Sequence, residues 1–193
     1  MTKQSVLIAI AACLAGSIAG FMFANTLNRR EMSAASVPGA QQAGTQPTSA
    51  SPDSNTLTPD EIKSRVAMAD RDPGNFGFQK SLGMSLYRYA SLKQDASILP
   101  DAIRIMQRAL DLDPADRDLQ IGLGNAHFDV GYFNKDNASF ERARGFYDKA
   151  LARVPTDTDV RTDVGLTYFL QTPPDLEMAV KEFEKGLEAN PKH

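Results

Sequence analysis

Few residues in this chain have the types and spacing that chemistry requires. His127 lies inside a helical pattern and His193 is the last residue, and neither has cysteines or paired acids at metal-ligand spacing. Gly122-Leu123-Gly124 lacks the third glycine and the preceding strand of a dinucleotide-binding loop, and Asn137-Ala138-Ser139 is a glycosylation triplet of a kind that is frequent by chance. No nucleophile, base and orienting group can be assembled. We therefore expect no catalytic residue, no metal site, no cofactor and no enzyme activity.

The distribution of charge divides the chain in two. From Gln4 to Asn28 no residue is charged, whereas acids and bases are interspersed from Asp60 to His193. The formal net charge of -3 comes without a clustered basic face, so we expect no nucleic-acid partner. The single cysteine, Cys13, lies in the uncharged stretch, which leaves the remainder of the chain without disulfides or thiol ligands.

The uncharged stretch predicts a transmembrane anchor over residues 1–28. Its apolar part, Val6 to Phe23, is long enough to cross a hydrocarbon core of about 30 Å and longer than the apolar segment of a cleaved signal peptide. An alternative is lipidation of Cys13, because Ile10-Ala11-Ala12-Cys13 resembles a bacterial lipobox, although the residues after the cysteine stay apolar. The expected protein is a single-pass membrane protein.

A flexible, disordered linker is predicted over residues 29–58. This segment is rich in Ser, Ala, Gln, Pro, Gly and Thr, and it cannot bury enough apolar surface to offset the entropy lost on ordering. A tether of this kind has a typical end-to-end distance of about 30 Å.

The charges that flank the anchor, Lys3 on one side and Arg29-Arg30 on the other, nearly balance. We place the C-terminal domain on the extracytoplasmic, periplasmic side because the linker composition suits such a spacer.

Residues 59–193 are built from copies of one unit. Prolines and glycines recur together at intervals of 41 residues: Pro73, Pro114 and Pro155, with Gly83, Gly124 and Gly165. A period of this size indicates stacked helix pairs, each of which buries a core only against its neighbours. The units span about 75–114, 116–155 and 157–191. Thr58 and Pro59 predict the start of a short helix before them.

Each unit contains two helical patterns. The first has a Leu-Gly or Val-Gly pair, whose glycine permits a close helix crossing. The second has small residues at i and i+7 around a large residue at i+4, which makes a helical stripe. These stripes are Ala102, Met106 and Ala109, then Ala143, Tyr147 and Ala150, then Ala179, Phe183 and Gly186. A proline follows each stripe and ends the helix.

Over residues 75–193 this arrangement resembles the tetratricopeptide repeat (TPR) family. The resemblance implies an all-α fold, a TPR-type α-solenoid of about three helix pairs. The family's usual period is about 34 residues, so we place the extra residues of the first two units between their helices, near Lys93–Ala96 and Lys135–Ala138. HEAT repeats lack the Leu-Gly spacing, and Sel1-like repeats usually lack the terminal proline.

The TPR resemblance also implies a concave groove, lined by the first helices, that binds a protein or peptide partner. Transferred by position, the expected groove residues are Lys80, Met84, Tyr87, Arg88, Ile121, Asn125, Phe128, Asp129, Thr162, Leu166, Phe169 and Leu170. The chemical character of these residues changes from basic in the first unit to apolar in the third. The alternative for several of them is packing against neighbouring helices.

The chaperone-binding branch of the TPR family grips a C-terminal carboxylate with basic and amide side chains. Lys80 and Asn125 match two of those positions, but Met84 replaces an asparagine, and Asp159 and Asp163 stand where basic residues belong. Acids at those places would repel a carboxylate, so this ligand class is disfavoured.

A second contact surface is predicted on the last helix. Many TPR arrays end with an additional solvating helix, and none is evident after Val180, Phe183 and Leu187. We expect this stripe to dock onto a partner or onto another copy of the chain.

Two functions follow from these patterns. The first is a membrane-anchored TPR scaffold or adaptor for protein–protein interactions, which resembles the anchored TPR factors of bacterial envelope assembly. The alternative is a structural self-assembling protein, a homo-oligomer joined through the last helix and a small-residue face of the anchor. That face consists of Ala12, Gly16, Gly20 and Ala24.

Overall fold

The computed structural model describes residues 57–192. The predicted anchor and all but the last two residues of the predicted linker lie outside the described residues, as do Cys13 and His193. None of the helices within 57–192 is long and apolar enough to cross a membrane.

Helices make up the described part of the chain, which contains no β-strand, so the predicted all-α class is confirmed. The seven α-helices between residues 57 and 192 are α1 (Pro59–Arg71), α2 (Phe76–Lys93), α3 (Leu99–Leu112), α4 (Arg117–Asn134), α5 (Asn137–Arg153), α6 (Thr158–Leu170) and α7 (Leu176–Ala189). A single 3-10 turn, Ala96–Ile98, leads into α3.

Short polar side chains cap every one of these helices except α3, which continues from the Ala96–Ile98 turn. Thr58 forms a capping box with Glu61 at the start of α1, where Pro59 occupies the first turn. The first helix of every pair is capped by an Asx side chain that accepts a hydrogen bond from the backbone: Asn75, Asp116 and Asp157. Because these caps satisfy backbone N–H groups that have no partner within the helix, they set where each helix starts. Their spacing repeats every 41 residues, in step with the prolines.

Three helix pairs, α2–α3, α4–α5 and α6–α7, stack in chain order, and α1 packs on α2. The glycine of each first helix lies directly against the large residue of its second helix. A Cβ added at Gly83, Gly124 or Gly165 would lie 2.6, 2.5 or 2.4 Å from an atom of Met106, Tyr147 or Phe183, respectively. The predicted close crossings are therefore present in all three pairs.

The extra length of the first two units lies in the helices, and the prediction of inserted residues at the corners was wrong. The helices α2 and α4 each have 18 residues, whereas α6 has 13. The corners of these two units are short turns in which Gln94 and Lys135 adopt left-handed backbone conformations, each with φ of 53°. Such a residue ends a helix abruptly and reverses the chain. In the third unit the first helix, α6, is five residues shorter than α2 and α4, and the corner runs from Gln171 to Asp175.

In each unit, one side chain at an equivalent position donates a hydrogen bond to a backbone carbonyl group at or just after the end of the preceding helix. Buried Gln79 donates from Nε2 to the Ala69 and Asp72 carbonyl oxygens, at 2.6 and 2.9 Å. Gln120 Nε2 donates to the Pro114 carbonyl at 2.9 Å, and Arg161 Nε donates to the Pro155 carbonyl at 2.8 Å. These bonds satisfy carbonyl groups at or just after helix ends that would otherwise lack partners.

Replacing Gly83 by alanine tests the close crossing. The added methyl would meet both the Met106 side chain and its backbone nitrogen, at 2.6 and 2.9 Å, so α3 would have to move. We expect the free energy of unfolding, measured by urea titration with circular dichroism, to fall by about 1–3 kcal/mol.

Gly145→Ala in α5 is the matched control, because nothing lies within 4 Å of the added methyl. It should stabilise the protein by up to about 1 kcal/mol, since alanine favours helix more than glycine does. Equal effects of the two substitutions would contradict the assigned packing.

Candidate protein-binding face

The first helices α2, α4 and α6 adjoin one another, and each packs on its own second helix. On each first helix, side chains four residues apart form a stripe beside the glycine edge that meets the second helix. We call the three stripes together the open face. All nine of its side chains are half-buried or exposed: Lys80, Met84 and Arg88, then Ile121, Asn125 and Asp129, then Thr162, Leu166 and Leu170.

The three aromatic residues predicted to line the groove, Tyr87, Phe128 and Phe169, lie beside the stripes of the open face and not on them. Tyr87 and Phe128 are buried, with only 5% and 7% of their surface exposed, and Phe128 makes an edge contact with Phe140 at 5.7 Å between ring centroids. Phe169 is half-buried. Each of these residues is one position away from the stripe, which turns its side chain by about 100°. Tyr87 and Phe128 therefore support the open face from beneath, as the packing alternative proposed.

The predicted basic end of the groove is neutralised by acids. Lys80 Nζ lies 2.6 Å from Asp116 Oδ2 and 3.1 Å from Asp118 Oδ2. Arg88 is exposed on the same stripe. Because Lys80 is held by two carboxylates of α4 and its cap, it links the first and second units, and its charge is balanced within the protein.

The two residues that match the carboxylate-gripping positions both have internal partners. Lys80 is paired as described, and Asn125 Oδ1 accepts a hydrogen bond from the Tyr147 hydroxyl at 2.8 Å. Acids also surround these positions: Asp129 accepts a bond from Ser91 Oγ at 2.9 Å, and Asp159 and Asp163 follow on α6. The geometry agrees with the expectation that a terminal carboxylate is a poor ligand here.

Four carboxyl groups lie near one another where α6 meets α4, and we call Asp129, Asp157, Asp159 and Asp163 the acidic joint. Burial raises the pKa of Asp163 to about 8, with further contributions from the negative charges of Asp159, Asp157 and Asp129. Burial also raises the pKa of Tyr147 well above its usual range, and the charge of Asp163 adds to this effect. A neutral Asp163 is thus favoured near neutral pH.

Asp159 and Asp163 stand out in the sequence as acids, but the acidic joint was not predicted. Asp157, Asp159 and Asp163 are close in sequence, so their spacing could have predicted a cluster of acids at the start of α6. Asp129 comes from the preceding unit, and only the stacking of α6 on α4 brings it near.

The surface predicted on the last helix is exposed in part. Val180 and Leu187 have 37% and 48% of their surface exposed. The residues equivalent to Leu187 in the first two units, Leu110 and Leu151, are only 5% and 8% exposed, because the next unit follows them. Phe183 is half-buried and lies against Gly165, so it belongs to the packing of its own pair.

Two other residues singled out in the sequence, His127 and Asn137, pack or form hydrogen bonds within the fold. His127 stacks on Phe146, with 5.6 Å between ring centroids, and burial lowers its pKa, with a smaller contribution from the charge of Arg142. Asn137 bonds to the Thr172 backbone through both its amide nitrogen and its amide oxygen. Within residues 57–192, no group of histidines, cysteines and acids could hold a metal ion.

Stacked helix pairs with a glycine against a large residue in every pair define a TPR-like α-solenoid. Residues 79–190 match the family described as plant-specific mitochondrial import receptor subunit TOM20, and the chain belongs to this family. No curated protein matches the chain significantly.

The solved structures similar to the chain include two crystal structures of MamA. They are 22% and 20% identical in sequence, with TM-scores of 0.42 and 0.41. Each similarity covers 68% of this chain, and 88% and 82% of the respective MamA chains.

Substitution of Asp116 tests the contact between the first and second units. Asp116 Oδ1 caps α4 through the Leu119 backbone nitrogen at 2.9 Å, while Oδ2 binds Lys80. Asp116→Ala removes both interactions and should lower the free energy of unfolding by about 1–2 kcal/mol. Asp111→Ala, at an exposed residue of α3, should change it by less than about 0.5 kcal/mol in the same urea titration. Similar losses for both variants would refute the assigned role.

Proposed function

We propose that this protein is a membrane-anchored scaffold or adaptor that binds another protein through the open face. The observation that carries the proposal is the alignment of three equivalent, accessible stripes on adjoining helices, where Ile121, Leu166 and Leu170 lie among polar residues. Accessible apolar side chains rimmed by polar groups are typical of protein-binding surfaces. A TPR-like fold and a family described as an import receptor subunit support a receptor or scaffold role.

The partner segment should combine apolar and cationic side chains. Acids outnumber bases around the open face. Asp116, Asp118, Asp129 and Asp159 are acids, whereas Lys80 and Arg88 are the bases, and Lys80 is held between Asp116 and Asp118. Charge complementarity at the edge of an interface favours the matching partner and speeds its association. The apolar stripe residues would supply most of the contact area.

Membrane attachment is the second part of the proposal. The uncharged stretch from Gln4 to Asn28 supports a single-pass anchor, and the linker composition supports a C-terminal domain on the periplasmic side of a bacterial envelope. There the protein would recruit a partner for assembly of an envelope complex. A reporter fused after His193 that is active only in the cytoplasm would refute this orientation.

Binding to the open face can be measured with two synthetic helical peptides that share the same apolar residues and differ only in carrying Lys or Glu. Fluorescence anisotropy with the full-length chain in detergent should show at least about tenfold tighter binding of the Lys peptide. This preference should weaken as salt is added, because exposed charges are screened. Equal binding of both peptides would rule out a cationic partner.

Charge reversal locates that binding on the open face. Asp118→Lys, on α4, should weaken binding of the Lys peptide by about fivefold, the effect of roughly 1 kcal/mol at an exposed charge. Asp111→Lys makes the same change in net charge on α3 and should have little effect. A photo-crosslinking residue at Leu166 should label the bound peptide, whereas one at exposed Glu184 of α7 should not.

Self-assembly through α7 is the second candidate function, favoured by the exposure of Val180 and Leu187. Leu187→Glu should turn an oligomer into a monomer in light scattering of the full-length chain, because a charge cannot be buried in an apolar contact. Glu184→Gln, at an exposed polar residue of the same helix, is the control and should leave the mass unchanged. A monomeric unmodified chain at high concentration would exclude this function.

A further inference from the structure

Large apolar side chains are exposed where the first two units turn their corners. Leu92, in the last turn of α2, has 59% of its surface exposed, and Phe133, in the last turn of α4, has 42%. Tyr132 is 41% exposed, and its ring meets the Phe133 ring edge to face, with 5.8 Å between the centroids. We call Leu92, Tyr132 and Phe133 the corner tips. They contribute nothing to the buried core, so their burial is available to a partner.

The corner tips lie along one edge of the solenoid. Leu92 and Phe133 are 41 residues apart and therefore hold equivalent positions in adjoining first helices. Ser91 Oγ donates a hydrogen bond to Asp129 Oδ2 at 2.9 Å, which ties the end of α2 to α4. Because this bond lies within one turn of both helix ends, it fixes the two corners side by side. The three side chains thus form one apolar row and not two separate exposures.

Both signs of charge surround the corner tips. Lys93 and Lys135 follow the tips directly in the chain, and the Lys93 ammonium lies 6.0 Å from the centre of the Tyr89 ring. Asp95 and Asp136 come next, and each accepts a hydrogen bond at 2.6 Å from a serine hydroxyl of its own turn. The four charges sum to zero, so an occupant of this edge is held by apolar contact and not by net charge.

The chain that precedes the described residues joins the domain at this same edge. The Tyr89 hydroxyl, one helical turn before Leu92, donates a hydrogen bond to the Leu57 carbonyl at 3.1 Å. Leu57 is the first described residue, and the predicted linker and anchor come before it. A linker of about 30 residues has a typical end-to-end distance near 30 Å. An anchored chain therefore keeps a bilayer within reach of the corner tips, at a high effective concentration.

We propose that the corner tips dock onto the surface of a lipid bilayer. Leu92, Tyr132 and Phe133 enter the boundary between headgroups and acyl chains, where an aromatic ring with one polar end is well accommodated. The stems of Lys93 and Lys135 lie along this boundary while their ammonium groups reach the headgroups. This inference rests on the membrane attachment in the proposed function and goes beyond it, because a flexible linker alone would leave the domain free to turn.

Tryptophan fluorescence tests the docking, because the chain contains no tryptophan of its own. Phe133→Trp and, separately, Leu92→Trp are introduced into the full-length chain, which is reconstituted in phosphatidylcholine vesicles with or without brominated acyl chains. Bromine quenches tryptophan on contact, so a docked tip should lose about half of its emission or more in brominated vesicles. The second variant keeps the test decisive if the first fails to fold.

Leu112→Trp is the matched control. Leu112 is also a large apolar residue in the last turn of a helix and is 48% exposed. It lies at the far end of α3, about 20 Å along that helix from the corner. Its emission should therefore be nearly the same in brominated and unbrominated vesicles.

Three results would overturn the docking. They are equal quenching of the corner and control tryptophans, quenching that requires an anionic lipid, and a response of the corner tryptophans to the Lys peptide but not to brominated lipid. The last of these would assign the corner tips to the protein partner of the open face. Flotation of the vesicles reports on membrane attachment separately: a chain that floats without quenching overturns the docking alone, whereas a chain that does not float overturns both.

Discussion

Attachment to the preceding helix pair holds each unit of this solenoid in place. A single amphipathic pair leaves one side of its core open, so it is stable only when a neighbour covers that side. Here the covering helix also brings a polar side chain, Gln79, Gln120 or Arg161, to carbonyl groups at the end of the preceding unit. Stacking therefore satisfies the backbone and buries the core at the same positions, which keeps the units in register.

That register explains why one face of the solenoid is available for binding. The glycine edge of each first helix is occupied by its own second helix, with ring or thioether atoms where a Cβ would otherwise lie. Tyr87 and Phe128 are drawn into this packing. The stripe beside them remains accessible, and because the units repeat, three stripes line up across adjoining helices. A binding face is thus a consequence of how the pairs bury their cores.

The third unit departs from the first two in ways that concentrate at its joint. Its first helix, α6, is shorter than α2 and α4, and it places Asp163 where the second unit has Gly122. Lys80 pairs with Asp116 and Asp118 at the first joint. At the second joint Arg117 pairs with Asp157, and Asp129, Asp159 and Asp163 add further carboxyl groups. The same helix geometry therefore builds two joints that differ in their charged groups.

The repeat and the class of fold could be predicted from the sequence. Prolines and glycines act through local backbone chemistry, so their 41-residue spacing was enough to place three helix pairs and their close crossings. The Asx caps follow the same spacing, although only the cap at Thr58 was predicted. The predicted family resemblance was confirmed as a TPR-like fold. Only the three-dimensional structure shows that the extra residues of the first two units lengthen the helices. The reason is that the length of a helix depends on how far it can extend against its neighbour. The three-dimensional structure also decided that Tyr87 and Phe128 are buried, since a 100° turn separates a packed position from an accessible one. The acidic joint needed the structure for the same kind of reason: Asp129 and Asp163 are far apart in sequence, and only the stacking of units brings their charges close enough to interact.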